Sequence, residues 1–140
     1  DMLAGFLLAQ LEARELIQNR RREIWESYQD ALGGWAATLG VTLPVVPAHV
    51  EQSYHMFYLL LPDLDARTRF IDHLKARGIL SVFHYLPLHL SDMGRRFGGQ
   101  PGDCPVTEDV SDRLVRLPFF YSLSGSEQEQ VIDAVMSFTG

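Results

Sequence analysis

Two of the chain's five histidines fall within GILSVFHYLPLH, the stretch from Gly78 to His89, with a tyrosine between them. His84, Tyr85 and His89 carry ring donors and acceptors. An imidazole can donate to a hydroxyl or phosphate oxygen, or carry a proton near neutral pH. Ile79 to Phe83 is apolar and partly β-branched, which predicts a buried strand. Pro87 pushes Leu86 towards an extended backbone, so the exit from that strand cannot curl directly into a helix. A stiff strand that emits His84, Tyr85 and His89 at its end is suited to holding a ligand.

Other chemistries are poorly supplied. His84 and His89 with Asp92 or Cys104 have a spacing that zinc tolerates, but Pro87 intervenes and no H-E-x-x-H or C-x-x-C pattern supports it. No metal site is expected. The G-x-S-x-G elbow is absent, and Cys104 sits in a Gly/Pro/Asp loop with no nearby histidine in sequence. The phosphate-cradling glycine motifs are absent too, and Gly98-Gly99 and Gly102 read as loop flexibility. Lys75 is the only lysine. A Schiff-base lysine must be desolvated or set beside another cation in a pocket. Near the end of an amphipathic helix, beside Arg77, Lys75 is instead expected in water, where its charge suits the helix C-terminus. The catalytic set is therefore incomplete.

The elements that must position these residues follow from periodicity. Asp1 is expected to cap a helix with Met2, Leu3, Phe6, Leu7 and Leu11 as a wide apolar stripe. The pattern loosens at Glu12–Glu15 and resumes through Leu16, Ile17, Ile24, Tyr28, Leu32 and Trp35. This predicts one long helix, or two with a joint near Glu12, ending at Gly33-Gly34 or a turn later. Apolar on more than one face, the first segment must pack either on a partner or missing domain, or on the rest of this chain. Val41-Thr42-Leu43 is β-prone. Ser53 to Leu61, stopped by Pro62, is apolar or aromatic on both faces and reads as a central strand, with Tyr54 and His55 inside it. His55 reads as a satisfied core residue before it reads as a ligand. Asp65 is expected to cap a helix carrying Phe70, Ile71 and Leu74, closed by Gly78. A strand, helix and strand in sequence predict a crossover or split βαβ unit. Leu90 to Pro105 reads as a long loop. Thr107 is expected to cap a helix with Val110 and Leu114 inward, and Leu117 to Phe120 reads as a short edge segment. Ser124 and Glu127 form a capping box before a helix burying Val131, Ile132, Val135 and Phe138. The predicted architecture is α+β, with residues 1–38 as a lead-in and interface helix and 39–140 as a small domain of sheet and helices.

Length and charge set limits. A chain of 140 residues suits one domain with a real core. A net charge of -6 argues against a nucleic-acid partner, and the Asn19–Arg22 run reads as a solvated helix face. A single cysteine excludes an internal disulfide and fits a reducing cytoplasm. No apolar run approaches the roughly 18–20 residues that a membrane span needs. Beginning in mid-pattern at Asp1, the chain is expected to be a piece of something longer.

The order DMLAGFLLAQLE, RRREIWESYQDAL, SYHMFYLLL, GILSVFHYLPLH and RLVRLPFFYSLSGSEQEQVIDAV resembles the C-terminal part of the DegT/DnrJ/StrS sugar aminotransferases. Within that family it is most similar to the dTDP-4-amino-4,6-dideoxygalactose transaminases of bacterial surface polysaccharide synthesis. The resemblance covers nearly the whole chain, with HYLPLH and LVRLPFFYSLS as its most specific pieces. It implies the small domain of a fold-type I, pyridoxal-phosphate-dependent homodimer. The cofactor and its lysine would lie in a large N-terminal domain upstream of Asp1. It further implies that His84, Tyr85 and His89 face the active-site mouth. His89 would approach the cofactor–sugar adduct and Tyr85 the sugar or its diphosphate; for His84, a capped strand end stays open. Tyr54 and His55 are weaker candidates. The implied reaction is amino transfer, with glutamate as donor, to a dTDP-linked 4-keto-6-deoxysugar. These 140 residues alone are expected to be inactive and without bound cofactor. A reading from a different class is a stand-alone binding or dimerisation module, which a start codon just before Asp1 would support.

Overall fold

A computed structural model describes residues 2–140; Asp1, the expected first cap, lies outside the described residues. The lead-in is two helices, α1 (Met2–Glu12) and α2 (Arg14–Leu39), jointed at Ala13. Gly33-Gly34 does not stop α2, because Leu32 and Ala36 on either side are buried and hold the helix through it. Gly40 ends it instead, in the left-handed conformation at φ 66°, with its N–H donating to the Ala36 carbonyl.

Three short strands form one sheet, β1 (Tyr58–Leu60), β2 (Val82–Phe83) and β3 (Leu114–Arg116), in the order β1-β3-β2. Both outer strands run antiparallel to β3, with Leu59 opposite Val115 and Phe83 also opposite Val115. β1 and β2 are therefore parallel with β3 between them, which makes β1, α3 (Leu64–Lys75) and β2 a split βαβ unit. The expectation of a central strand over Ser53–Leu61 needs correction. Only Tyr58–Leu60 pairs as a strand, and the middle place belongs to β3, whose Leu114 had read as part of a helix. Thr42 does bridge Leu60 on the far side of β1. The predicted buried strand Ile79–Phe83 shrinks to two paired residues at the opposite edge.

Local signals elsewhere hold in kind and shift in position. The cap of α3 is Asp63, accepting from the Ala66 N–H, two residues before the expected Asp65. Gly78 closes that helix at φ 75°, with Gly78 N–H donating to Lys75 and Ile79 N–H to Leu74, a Schellman pattern. Leu90–Pro105 contains a 3₁₀ turn (Leu88–Leu90, at its start) and α4 (Asp92–Arg96). In α5 (Pro105–Arg113) proline occupies the first turn, where its missing N–H is harmless, and Thr107 is not the cap. The capping box of Ser124 and Glu127 opens α6 (Gly125–Met136) as expected.

One core unites these elements. Ile24, Tyr28 and Leu32 of α2 meet Phe57, Leu59, Leu61, Phe70, Val115 and Val135. Polar ties flank it: Tyr28 donates to the Pro118 carbonyl at 2.9 Å, Trp35 to Phe138 at 3.0 Å, and Gln128 to Ile24 at 2.7 Å. Burial pushes the Tyr28 phenol far above its ordinary pKa. Among the described residues no helix is long and apolar enough to cross a membrane.

Candidate functional site

Alternation along β3 sends Val115 into the core and leaves Leu114 and Arg116 on the other face of the sheet. β2 delivers the chain to that face. Beyond Phe83 the strand has no further pairing, and Pro87 keeps the backbone extended until the 3₁₀ turn. The segment stands over α5, fastened by the Ser111 hydroxyl donating to the Tyr85 carbonyl at 3.0 Å. A notch of about 380 Å³ opens between the two, with His84, Tyr85, Leu86 and Pro87 on one wall and Val106, Val110, Ser111 and Leu114 on the other.

His84 and Tyr85 are brought together there. Their rings meet edge-to-face at 4.9 Å between centroids, and Tyr85 is 73% exposed. Nδ1 of His84 is buried without a hydrogen-bond partner. Such an atom in an apolar wall is a strong demand for a polar group.

His89 is placed elsewhere. Its side chain is 15% exposed and its Nε2 lies 2.8 Å from Glu108 Oε1. Glu108 also accepts from the backbone N–H of Gly102 at 2.9 and 3.1 Å. The His89 hydrogen bond and the Gly102 N–H together hold the Glu108 carboxyl below its ordinary pKa. Two glycines make this corner. A Cβ on Gly94 would overlap the Leu88 carbonyl and come within 2.6 Å of the His89 carbonyl oxygen, and a Cβ on Gly99 would overlap the same His89 oxygen. Gly99 is therefore required by close approach rather than by loop flexibility. The structure gives His89 a pinning contact beside the notch and leaves it out of the notch lining.

Tyr54 and His55 lie apart from the notch. Tyr54 adopts φ 46°, a left-handed conformation unusual for a non-glycine. Its ring meets Trp25 at 5.8 Å, with the Arg22 guanidinium 5.2 Å from its centroid. His55 is exposed, its Nδ1 2.7 Å from the Ser53 hydroxyl, so the expectation of a core histidine fails. The irregular backbone at Tyr54 breaks the strand alternation on which that expectation rested. The Asn19–Arg22 run is only partly solvated, since Arg20 reaches the Leu123 carbonyl.

Among the described residues no cluster of three or more His, Cys, Asp or Glu could hold a metal. No lysine lines the notch, and Lys75 is exposed at the end of α3. The residues present therefore do not fit the covalent anchor that pyridoxal phosphate would need. Glu108, Ser111 and Arg116 were missed at the sequence level. Glu108 and Ser111 share a helix face by their i, i+3 spacing, but nothing in a linear pattern pairs them with residues 19 and 26 positions away.

An uncharacterised protein of Methanocaldococcus jannaschii is 31% identical, in an alignment covering 96% of this chain and 35% of that protein. The aminotransferase TlmJ from Streptoalloteichus hindustanus superposes with a TM-score of 0.79 at 31% identity, over 92% of this chain and 33% of that one. S. venezuelae DesV gives 0.85 at 27% identity, over 98% and 36%. The chain thus spans about a third of the length of these relatives. The α+β fold, with its helices and three-stranded antiparallel sheet, is the fold of that part of the aminotransferases. Residues 1–136 match the DegT/DnrJ/EryC1/StrS family throughout, and the chain belongs to this aminotransferase family.

Proposed function

We propose that this chain is the sugar-facing small domain of a pyridoxal-phosphate-dependent aminotransferase, acting on a dTDP-linked 4-keto-6-deoxysugar with glutamate as amino donor. In this reading the enzyme is a cytoplasmic homodimer serving bacterial surface polysaccharide synthesis, such as lipopolysaccharide or enterobacterial common antigen. Its nearest activity is that of a dTDP-4-amino-4,6-dideoxygalactose transaminase. The electron-sink chemistry of pyridoxal phosphate belongs to protein outside these residues. The observation that carries the reading is the notch, with His84 on its wall and the exposed Tyr85 at its rim.

Each group then has a task. His84 meets the sugar from one wall of the notch, and the apolar side chains of Val106, Val110 and Leu114 face it from the other. Tyr85 supplies a donor at the rim. His89, clamped by Glu108 and backed by Gly94 and Gly99, holds the segment at a fixed distance from α5. Exposure of Met2, Leu3, Phe6, Leu7 and Leu11 along α1 supports packing against the upstream domain or a second subunit.

The test is an amination assay on the product of the native gene, supplied with pyridoxal phosphate, glutamate and a dTDP-4-keto-6-deoxyhexose. Glutamate-dependent turnover is expected. His84→Ala and Tyr85→Phe should each lower kcat/KM for the sugar nucleotide by about tenfold, the effect of losing one polar contact. Absence of turnover overturns the function, and unchanged kcat/KM in both variants overturns the site. The 140-residue piece alone should show no turnover.

A further inference from the structure

The notch has a support behind it. Arg67 stands on α3 between buried Ala66 and buried Phe70, and its own N–H donates to the Asp63 carbonyl, so its backbone is fixed to the core. The side chain is half-buried and takes no part in the notch lining. Its Nη1 donates to the Ser111 carbonyl of α5 at 2.8 Å. Its guanidinium carbon lies 5.6 Å from the ring centroid of Phe83, the last paired residue of β2. Ser111 is the residue whose hydroxyl fastens Tyr85, and Phe83 directly precedes His84. One side chain thus touches both elements that build the walls, each beside a notch group.

Stability does not account for this placement. Arg67 takes part in none of the ion pairs among the described residues, and its Nε is buried without an acceptor. Closing that N–H off from water is unfavourable and works against what the Ser111 bond and the ring contact contribute. Geometry does account for it. A guanidinium is broad enough to meet a ring while one of its N–H groups donates to a carbonyl, whereas an ammonium is a point charge.

We infer that Arg67 is a positioning residue for the notch, bridging α5 at Ser111 and β2 at Phe83 and so setting the separation of the walls and the reach of His84 and Tyr85. It acts through those residues and touches no ligand. The brace stands on these contacts alone. That the notch receives a sugar nucleotide rests on the proposed function.

The test compares the native-gene product with its Arg67→Gln, Arg67→Lys and Arg69→Gln variants. Arg69 is an exposed arginine on the same helix and serves as the charge control. The first readout, hydrogen exchange followed by mass spectrometry, needs no activity. Arg67→Gln should speed exchange in the peptides holding Val82–Phe83 and Ser111–Arg113. The peptide holding Val131–Val135 and the urea midpoint should stay as in the wild type. The second readout is kinetic. Arg67→Gln should raise KM for the dTDP-4-keto-6-deoxyhexose about tenfold with kcat nearly unchanged, the pattern of a binding surface held out of register. Arg67→Lys, which keeps a charged donor but loses the planar face, should fall between the two, and it decides the matter if Arg67→Gln does not fold. Arg69→Gln should match the wild type in both readouts. Wild-type exchange at the two peptides overturns the brace. Faster exchange that extends equally to α6, with a lowered urea midpoint, makes Arg67 an ordinary structural tie and overturns the inference too. Local loosening with an unchanged KM overturns the positioning role and leaves the proposed function standing. Local loosening in a protein without aminotransferase turnover sinks the proposed function and leaves the brace.

Discussion

Two apolar runs of this chain look alike on paper and meet opposite fates. In SYHMFYLLL, the side chains of Phe57, Leu59 and Leu61 are wholly buried. In GILSVFHYLPLH, Leu80 is 79% exposed and Leu88 82%. The first run is paired on both sides, by Thr42 and by β3, and α2 lies against it through the Tyr28–Phe57 ring contact at 5.2 Å. The second has one two-residue pairing, an open edge, and a polar clamp of His89 and Glu108 where the first has a core. Apolar residues signal a demand for burial and leave open what meets it. Around Leu86, Leu88, Met93 and Phe97 that demand is unmet within the described chain, the usual mark of an interaction surface.

The contrast can be broken by measurement. Phe57→Ala should destabilise the chain by about 3–5 kcal/mol in urea unfolding, the range for truncating a fully buried aromatic. A loss under ~1 kcal/mol would mean that the first run is no core. Gly94→Ala should cost about 1–3 kcal/mol, because its new methyl must displace the Leu88 and His89 carbonyls. Its NMR signature should be confined to residues 88–108, with the Phe57 signals unmoved. Ser124→Ala removes the capping box of α6 and should cost about 1 kcal/mol by the same unfolding assay. Leu88→Ala should shift stability by less than ~0.5 kcal/mol, as surface substitutions do, while changing whatever association the full protein makes.

A pH prediction sharpens the same comparison. The Glu108 carboxyl is held below its ordinary value of 4.5 in the folded chain. When unfolded it binds a proton first, so its stabilising contribution is full above 4.5 and is lost as pH falls through the lowered folded value. Glu127, lowered by the Ser124 hydroxyl and N–H, behaves likewise. Glu108→Gln should flatten the acid limb of the stability curve and free the His89 corner, whereas the first run, which carries no such carboxylate, should respond only through global unfolding. An unchanged acid limb would show that the clamp does not form in solution.

Much of the architecture was legible because its causes are local. The Ser124–Glu127 box, Gly78 as a helix stop and the stripe of Ile24, Tyr28 and Leu32 each depend on residues a turn or less apart. The strand–helix–strand order was enough to suggest a split unit. The errors share a cause as well. Leu114 continues the helical pattern of α5 but is claimed by β1, where it pairs with Leu60. His55 follows strand alternation but stands on backbone that Tyr54 has already turned.

For the candidate site the division is the same. From residue types alone, His84 and Tyr85 could be singled out as candidates, and the structure puts both in the lining of the notch. Only tertiary structure decided that His89 answers to Glu108, that Gly94 and Gly99 close around its carbonyl, and that Arg116 is left with a buried, unpartnered Nε. Periodicity reports which face of an element seeks burial. A hydrogen bond between residues far apart in the chain depends on how two elements are docked, and no local pattern encodes that distance.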